Sequence, residues 1–193
     1  MMHRRQFTLL AMLVASLVFV GGCFKRYTVV RQAVPNPFLG QHSFSIEPVH
    51  FETLQVGRMA EAEWLARKTP EQQASYMNDR QAMIQRYVER MTARNPGLEI
   101  IAGPPPTPQT FIVRPILEYI EPGFYVGVMK MDTEARMRVQ VLNQQGQILD
   151  EFLGYVRVQA DLFNPSTGGR LRTAADRLSD TTTQYLRDRT GIH

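Results

Sequence analysis

The chain has 193 residues, of which 44% are hydrophobic and 21% are charged, and its formal net charge is +4. Basic and acidic residues alternate along the sequence, so no dense basic patch predicts binding to nucleic acid. Cys23 is the only cysteine, which excludes an intramolecular disulfide. The length suits one domain that is stabilised by its own core.

The first 22 residues have the pattern of a secretory signal peptide. Arg4 and Arg5 precede a largely apolar stretch of about 14 residues, which is shorter than the ~20 residues that span a bilayer. The order Val20-Gly21-Gly22-Cys23 resembles the lipobox of bacterial lipoproteins. This resemblance implies that a signal peptidase recognises Val20, Gly21 and Gly22. Acylation of Cys23 would then anchor the protein to the lipid bilayer.

Residues near the cysteine bear on export and sorting. Phe24 stands where an aspartate is linked to inner-membrane retention in enteric bacteria. The resemblance therefore implies an outer-membrane lipoprotein, with its domain facing the periplasm. Arg4-Arg5 also resembles the twin-arginine export motif, so two export routes remain open. We predict a flexible tether over residues 23–42 and a single domain over residues 43–193.

The first half of this domain alternates between strand and helix patterns. An interrupted strand is predicted over 43–52, and a helical pattern follows it as far as Asn95-Pro96-Gly97. Thr69 is predicted to cap a helix whose first turn contains Pro70. Two further strands are predicted, over 98–103 and over 110–121, the second broken by Pro115.

The second half reads as a hairpin and a final helix. Alternation over 133–141 predicts a strand with one buried face, and Gly146 ends a hairpin loop that leads to a partner strand over 147–160. An amphipathic helix is predicted from about residue 169 to residue 189. The expected fold is α+β: a mixed, mainly antiparallel sheet of about four to five strands with two helices packed on one face.

Three segments resemble a bacterial lipoprotein family, including its myxobacterial members, whose domains are uncharacterised. They are SIEPVHFE (45–52), EAEWLARK with EQQASY (61–76), and VQVLNQQGQILDEF (139–152). The layout more loosely resembles periplasmic domains of penicillin-binding-protein activator lipoproteins and of the curli-secretion lipoprotein. Those are binding or assembly domains, so the resemblance implies a non-enzymatic role.

The polar residues do not form a recognisable catalytic or metal-binding pattern. His42 and His50 lack the spacing with cysteine or carboxylates that metal sites use. No serine stands in a Gly-x-Ser-x-Gly motif. Glu118 and Glu121 are three residues apart on one predicted strand, so they are expected on opposite faces and form a poor acid–base pair. We predict no catalytic residue, no metal and no cofactor, and hence a protein that is not an enzyme.

The segment GFYVGVMKM, residues 123–131, has two interpretations. It could continue a strand into the core, because Tyr125, Met129 and Met131 share parity with Ala135. Alternatively it is an exposed hairpin that docks on a partner or a membrane, with Phe124, Tyr125 and Met129 as contact residues.

The predicted function is that of a non-enzymatic binding, scaffold or assembly factor in the cell envelope, with an envelope protein as partner. The alternative is a periplasmic carrier or sensor of a small apolar ligand, held between the sheet and the helices.

Overall fold

A computed structural model describes residues 27–93 and 95–192. The predicted signal peptide, its recognition residues Val20, Gly21 and Gly22, and the acylated Cys23 lie outside the described residues, and their assignments stay predictions. In the described part of the chain, none of the helices combines the length and the apolar character needed to cross a membrane.

The described residues form one eight-stranded sheet and a separate two-stranded sheet. The main sheet has the order β1-β10-β9-β6-β2-β5, and the short strands β3 and β4 extend it beside β6. β2 runs parallel to both β5 and β6, whereas β6, β9, β10 and β1 are successively antiparallel. The strands are β1 (Tyr27–Arg31), β2 (Ser43–Ile46), β3 (Gln55–Val56), β4 (Met59–Ala60), β5 (Glu99–Ala102), β6 (Phe111–Glu121), β7 (Phe124–Val126), β8 (Met129–Met131), β9 (Thr133–Leu142) and β10 (Ile148–Val158).

Three helices occur in the described chain: α1 (Glu61–Ala66), α2 (Pro70–Thr92) and α3 (Thr167–Thr190). The predicted start of α2 is confirmed. The Thr69 hydroxyl accepts a hydrogen bond from the Gln72 backbone at 3.3 Å, and the Gln72 side chain accepts one from the Thr69 backbone at 3.2 Å. This capping box satisfies two N–H groups that a helix start otherwise leaves unpaired, and Pro70 at the first helical position has no N–H to satisfy.

The core lies between the main sheet and the two long helices, which pack side by side. Tyr87 of α2 and Thr182 of α3 are joined by a buried hydrogen bond of 3.0 Å. Gly154 of β10 allows α3 to approach closely, since a Cβ there would lie 3.2 Å from a methyl group of Leu178. The apolar residues that predicted α3 are buried: Leu171, Ala174, Ala175, Leu178, Tyr185 and Leu186.

The predicted fold class is wrong in the size of the sheet and in the number of helices. The main sheet has eight strands where about four to five were expected, a second sheet is present, and α1 is an additional short helix. β3 and β4 contain only two residues each, which is too short to show an alternating pattern in the sequence. Pro115, expected to break its strand, lies within the continuous β6.

The predicted tether is also corrected, because its described part, residues 27–42, belongs to the domain. β1 pairs with β10, and Tyr27 makes edge contacts with the rings of Phe152 and Tyr185, at centroid distances of 5.7 and 5.1 Å. Phe38 is buried against Phe111. The polar and proline residues between these anchors obscured them in the sequence.

A β-bulge overturns the expectation that Glu118 and Glu121 lie on opposite faces. The register of β6 against β9 shifts between Leu117 and Tyr119, so that Tyr119 pairs with Arg136 and Glu121 with Glu134. Glu118 reaches the same open face and contacts Arg138 at 2.6 Å. An inserted residue reverses the side-chain alternation beyond it, which parity counting along a sequence does not detect.

Candidate functional site

The segment 123–131 forms an exposed hairpin between β6 and β9. β7 and β8 pair only with each other among the described strands, through Phe124–Met131, Tyr125–Lys130 and Val126–Met129. Gly127 has φ +58° and begins the two-residue loop, as a type II′ turn requires. The other loop residue, Val128, is 101% exposed.

The interpretation of this segment as core is therefore wrong, and the hairpin interpretation is confirmed in its geometry. Parity with Ala135 does not apply, because Gly123 has φ +63° and directs the chain into a separate sheet. Of the predicted contact residues, Phe124 and Met129 are exposed and belong to pairs on the same face of the hairpin. Tyr125 lies on the other face and is half-buried.

A second exposed apolar segment lies beside the base of the hairpin. Leu162 and Phe163 are 77% and 98% exposed in the loop between β10 and α3. The Asp161 carboxylate accepts hydrogen bonds from the backbone of Phe163 and of Asn164, both at 2.9 Å. These bonds fix the loop in a turn that presents both apolar side chains to solvent.

Arg170, near the start of α3, ties the hairpin to this loop. Its side chain is fully buried. Nη1 donates hydrogen bonds to the carbonyl oxygens of Asn164 and Pro165, at 3.1 and 2.5 Å. Nη2 donates one to the carbonyl oxygen of Pro122 at 3.3 Å. Its Nε donates to Thr133 Oγ1 at 2.8 Å, and that hydroxyl donates to the Pro122 carbonyl at 2.6 Å. Burial lowers the pKa of the Arg170 guanidinium, but arginine remains charged at neutral pH.

Asp132 makes a second link at the same place. Its carboxylate accepts from the Ala160 backbone at 3.0 Å and from Arg157 Nε at 2.8 Å. These two bonds, the backbone one foremost, hold the pKa of Asp132 below its ordinary value. Both exposed segments are thus held by charge-assisted hydrogen bonds at their bases.

We call this surface the apolar end. Its exposed members are Phe124, Val126, Val128, Met129, Met131, Leu162 and Phe163. Sequence reasoning identified the hairpin but missed the loop, and it gave no role to Arg170. The apolar pair Leu162-Phe163 inside an otherwise polar loop was the available signal.

The open face of the main sheet, opposite the helices, has a different character. Arg138 lies between Glu118 and Glu151, at 2.6 and 2.5 Å, and Arg114 pairs with Glu47 at 2.6 Å. Such partly exposed pairs are satisfied among themselves. Among residues 27–93 and 95–192, no group of three or more His, Cys, Asp or Glu side chains could hold a metal ion.

A shallow open groove runs between α2 and the strand β2. Its volume is about 670 Å³, and apolar side chains of Val49, Ile84 and Val88 line it together with Glu47 and Glu89 at its edges. The lining of this groove is more apolar than polar.

Comparison with known proteins gives no family assignment. No family model and no curated protein matches the chain. Among solved structures, a variant of PelC in a dodecamer from Paraburkholderia phytofirmans is 11% identical, with a TM-score of 0.44, covering 81% of this chain and 95% of its own. A neuraminyllactose-binding hemagglutinin homologue from Helicobacter pylori is 6% identical, with a TM-score of 0.37, covering 78% and 83%. Both likenesses are too distant to support a conclusion about this chain.

Proposed function

We propose that this protein is a membrane-anchored bacterial lipoprotein that acts in the cell envelope by binding, as a scaffold or assembly factor, and not as an enzyme. The anchor is Cys23, and the domain faces the periplasm from the outer membrane. The apolar end is the surface through which the domain docks.

The observation that carries this proposal is the exposure of the apolar end together with the way it is held. Exposed apolar side chains are costly in water when they cluster, and clusters of this kind mark interaction sites. Arg170 and Asp132 fix both segments through buried or paired polar groups. Such fixation lowers the entropic cost of docking.

The anchor is tested by metabolic labelling with an alkyne analogue of palmitate. The wild-type chain should incorporate the label and sediment with the outer membrane, whereas Cys23→Ser should do neither. Labelling of the Cys23→Ser chain, or its continued presence in the membrane pellet after a carbonate wash, would contradict the proposal.

The docking surface is tested by photocrosslinking in intact cells. A photoreactive residue in place of Val128 should give adducts with an envelope component, identified as protein or lipid by mass. The same residue in place of Leu39 is the matched control, since Leu39 is apolar and 75% exposed but lies beside Gly191, at the opposite end of α3 from Arg170. Equal adduct yields at the two positions would argue against a docking role for the apolar end.

The groove between α2 and β2 favours a second candidate, a carrier or sensor of a small apolar ligand. Native mass spectrometry of the lipidated protein extracted from cells should then show an additional bound mass. Val88→Trp, which fills the groove, should remove that mass, while Met77→Trp, on an exposed part of the same helix, should leave it. A spectrum with only the bare lipidated mass would exclude this candidate.

A further inference from the structure

The chain enters the domain from the side on which the apolar end lies. β1 is antiparallel to β10, with Tyr27 opposite Gly154 and Arg31 opposite Glu151. The N-terminal end of β1 therefore lies on the side of the sheet where β10 ends at Val158. Val158 pairs with Thr133, two residues after the hairpin of the apolar end, and the Leu162-Phe163 loop follows β10.

The length of chain between Cys23 and Tyr27 limits how far a lipid anchor can lie from this end. Four residues span at most about 14 Å when fully extended. The four steps from Gly154 to Val158 cover about 13 Å along β10. An anchor at Cys23 therefore cannot lie far beyond the end of the sheet, where the apolar end begins.

The composition of this end suits a lipid surface. Its tips, Val128 and Phe163, are almost completely exposed, as expected for side chains that enter the boundary between headgroups and acyl chains. Exposed cations flank them: Lys130 on the hairpin, and Arg177 at a polar cleft beside its base, where Arg157 is already paired with Asp132. Such cations are favourable next to anionic headgroups. The nearby Asp132 and Asp161 are engaged in internal hydrogen bonds.

We infer that the apolar end inserts into the same bilayer that holds the acylated Cys23, so that the domain has a fixed orientation on the membrane. This inference rests on the proposed lipid anchor and names the lipid bilayer as the occupant of the docking surface. The opposite end of the domain, where Leu39 lies beside the C-terminal end of α3, then points away from the membrane. The charged open face of the sheet is then roughly perpendicular to the membrane surface.

Fluorescence quenching in vesicles tests the inference on the full acylated protein. Because the one native cysteine carries the lipid, Val128→Cys, Phe163→Cys and Leu39→Cys each introduce a single free thiol for an environment-sensitive dye. The labelled proteins are reconstituted into vesicles of phosphatidylethanolamine and phosphatidylglycerol, with and without brominated acyl chains. Emission at positions 128 and 163 should fall by roughly half or more, as expected for side chains ~5–10 Å deep, and emission at position 39 should not change.

Vesicle flotation is measured on the same samples, so that two failures can be distinguished. Absence of the acyl mass and of flotation would refute the anchor and with it the proposed function. Flotation without quenching at positions 128 and 163, or with equal quenching at position 39, would overturn only the bilayer insertion. A protein adduct from position 128 in cells, combined with absent quenching, would assign the apolar end to a protein partner instead. All three substitutions are at exposed positions, and unchanged thermal unfolding verifies that each chain folds.

Discussion

Arg170 shows how one buried side chain organises an exposed surface. Its guanidinium joins the hairpin base at Pro122 to the loop carbonyls of Asn164 and Pro165. A guanidinium suits this task because its five N–H donors lie in one rigid plane.

Replacing Arg170 with methionine should therefore destabilise the fold and loosen the apolar end. The three carbonyls lose a buried donor, so the free energy of unfolding should fall by about 2–4 kcal/mol in chemical denaturation. Amide hydrogen exchange should rise in residues 122–132 and 161–166. Arg172→Met, exposed on the same helix, is the control and should change neither quantity. Unaltered exchange in the R170M chain would show that Arg170 does not hold the two segments.

Glu47 gives a pH-dependent contribution at the residue scale. The hydrogen bond from Arg114 lowers the pKa of Glu47 below its ordinary value of 4.5, so the folded state favours the ionised form. The resulting stabilisation is complete above pH 4.5 and is lost as the pH falls through the lower folded-state pKa.

Wild type should accordingly exceed Glu47→Gln in stability by about 0.5–1 kcal/mol at pH 7, the size expected for a partly exposed pair. The difference should shrink as the pH falls below 4.5 and vanish in strong acid. Urea denaturation over this pH range measures it. Glu63→Gln, in an exposed pair on α1, should give a smaller difference at pH 7. A constant difference at every pH would reject the linkage to Glu47 ionisation.

At the scale of elements, the hairpin depends on two glycines for different reasons. Gly123 and Gly127 both have positive φ, which disfavours any side chain. A Cβ at Gly123 would also overlap the backbone of Met131 and Asp132, whereas a Cβ at Gly127 would meet no atom within 4 Å. The base of the hairpin thus has no room for a side chain at position 123, whereas its tip has room for one at position 127.

Gly127→Ala should cost only the conformational strain of about 1 kcal/mol, while Gly123→Ala should cost clearly more, since the backbone must also shift. Thermal unfolding compares the two chains, and amide exchange over residues 124–131 shows whether the hairpin opens. Equal losses of stability in the two variants would indicate that the base of the hairpin can adapt.

At the scale of the whole molecule, the position of β1 determines where the domain begins. β1 covers one edge of the main sheet, and Tyr27 and Phe38 add to the core from a segment that sequence analysis assigned to a tether. The proposed lipid anchor at Cys23 would thereby stand within a few residues of the folded domain. A short connection of this kind restricts the orientation of the domain far more than a linker of about 20 residues would.

Truncation tests this boundary directly. A chain that begins at residue 26 should fold cooperatively, whereas one that begins at residue 43 should lose several kcal/mol, because burial of Tyr27 and of Phe38 contributes about 2–3 kcal/mol each. The chain that begins at residue 43 would also leave the edge of β10 unpaired, which favours aggregation. Circular dichroism melting and size-exclusion chromatography compare the two chains. Equal melting temperatures would return residues 27–42 to the role of a tether.

The sequence by itself determined the elements whose pattern is local. The cap at Thr69 and Pro70, the alternation of β9 and the apolar stripe of α3 are periodic signals within one element, and the structure confirms them. The hairpin at residues 123–131 was recognised as one of two alternatives for the same reason. Its glycines and apolar residues permit an exposed turn but do not require it.

Only the tertiary structure decided features that depend on residues distant in sequence. The pairing of β1 with β10 joins residues more than a hundred positions apart, and the contacts of Arg170 join three separate segments. The bulge in β6 is set by its pairing with β9, so parity along β6 alone wrongly predicted that Glu118 and Glu121 lie on opposite faces. Local periodicity records which side of an element is buried, whereas strand order and shared surfaces arise from the packing of the whole chain.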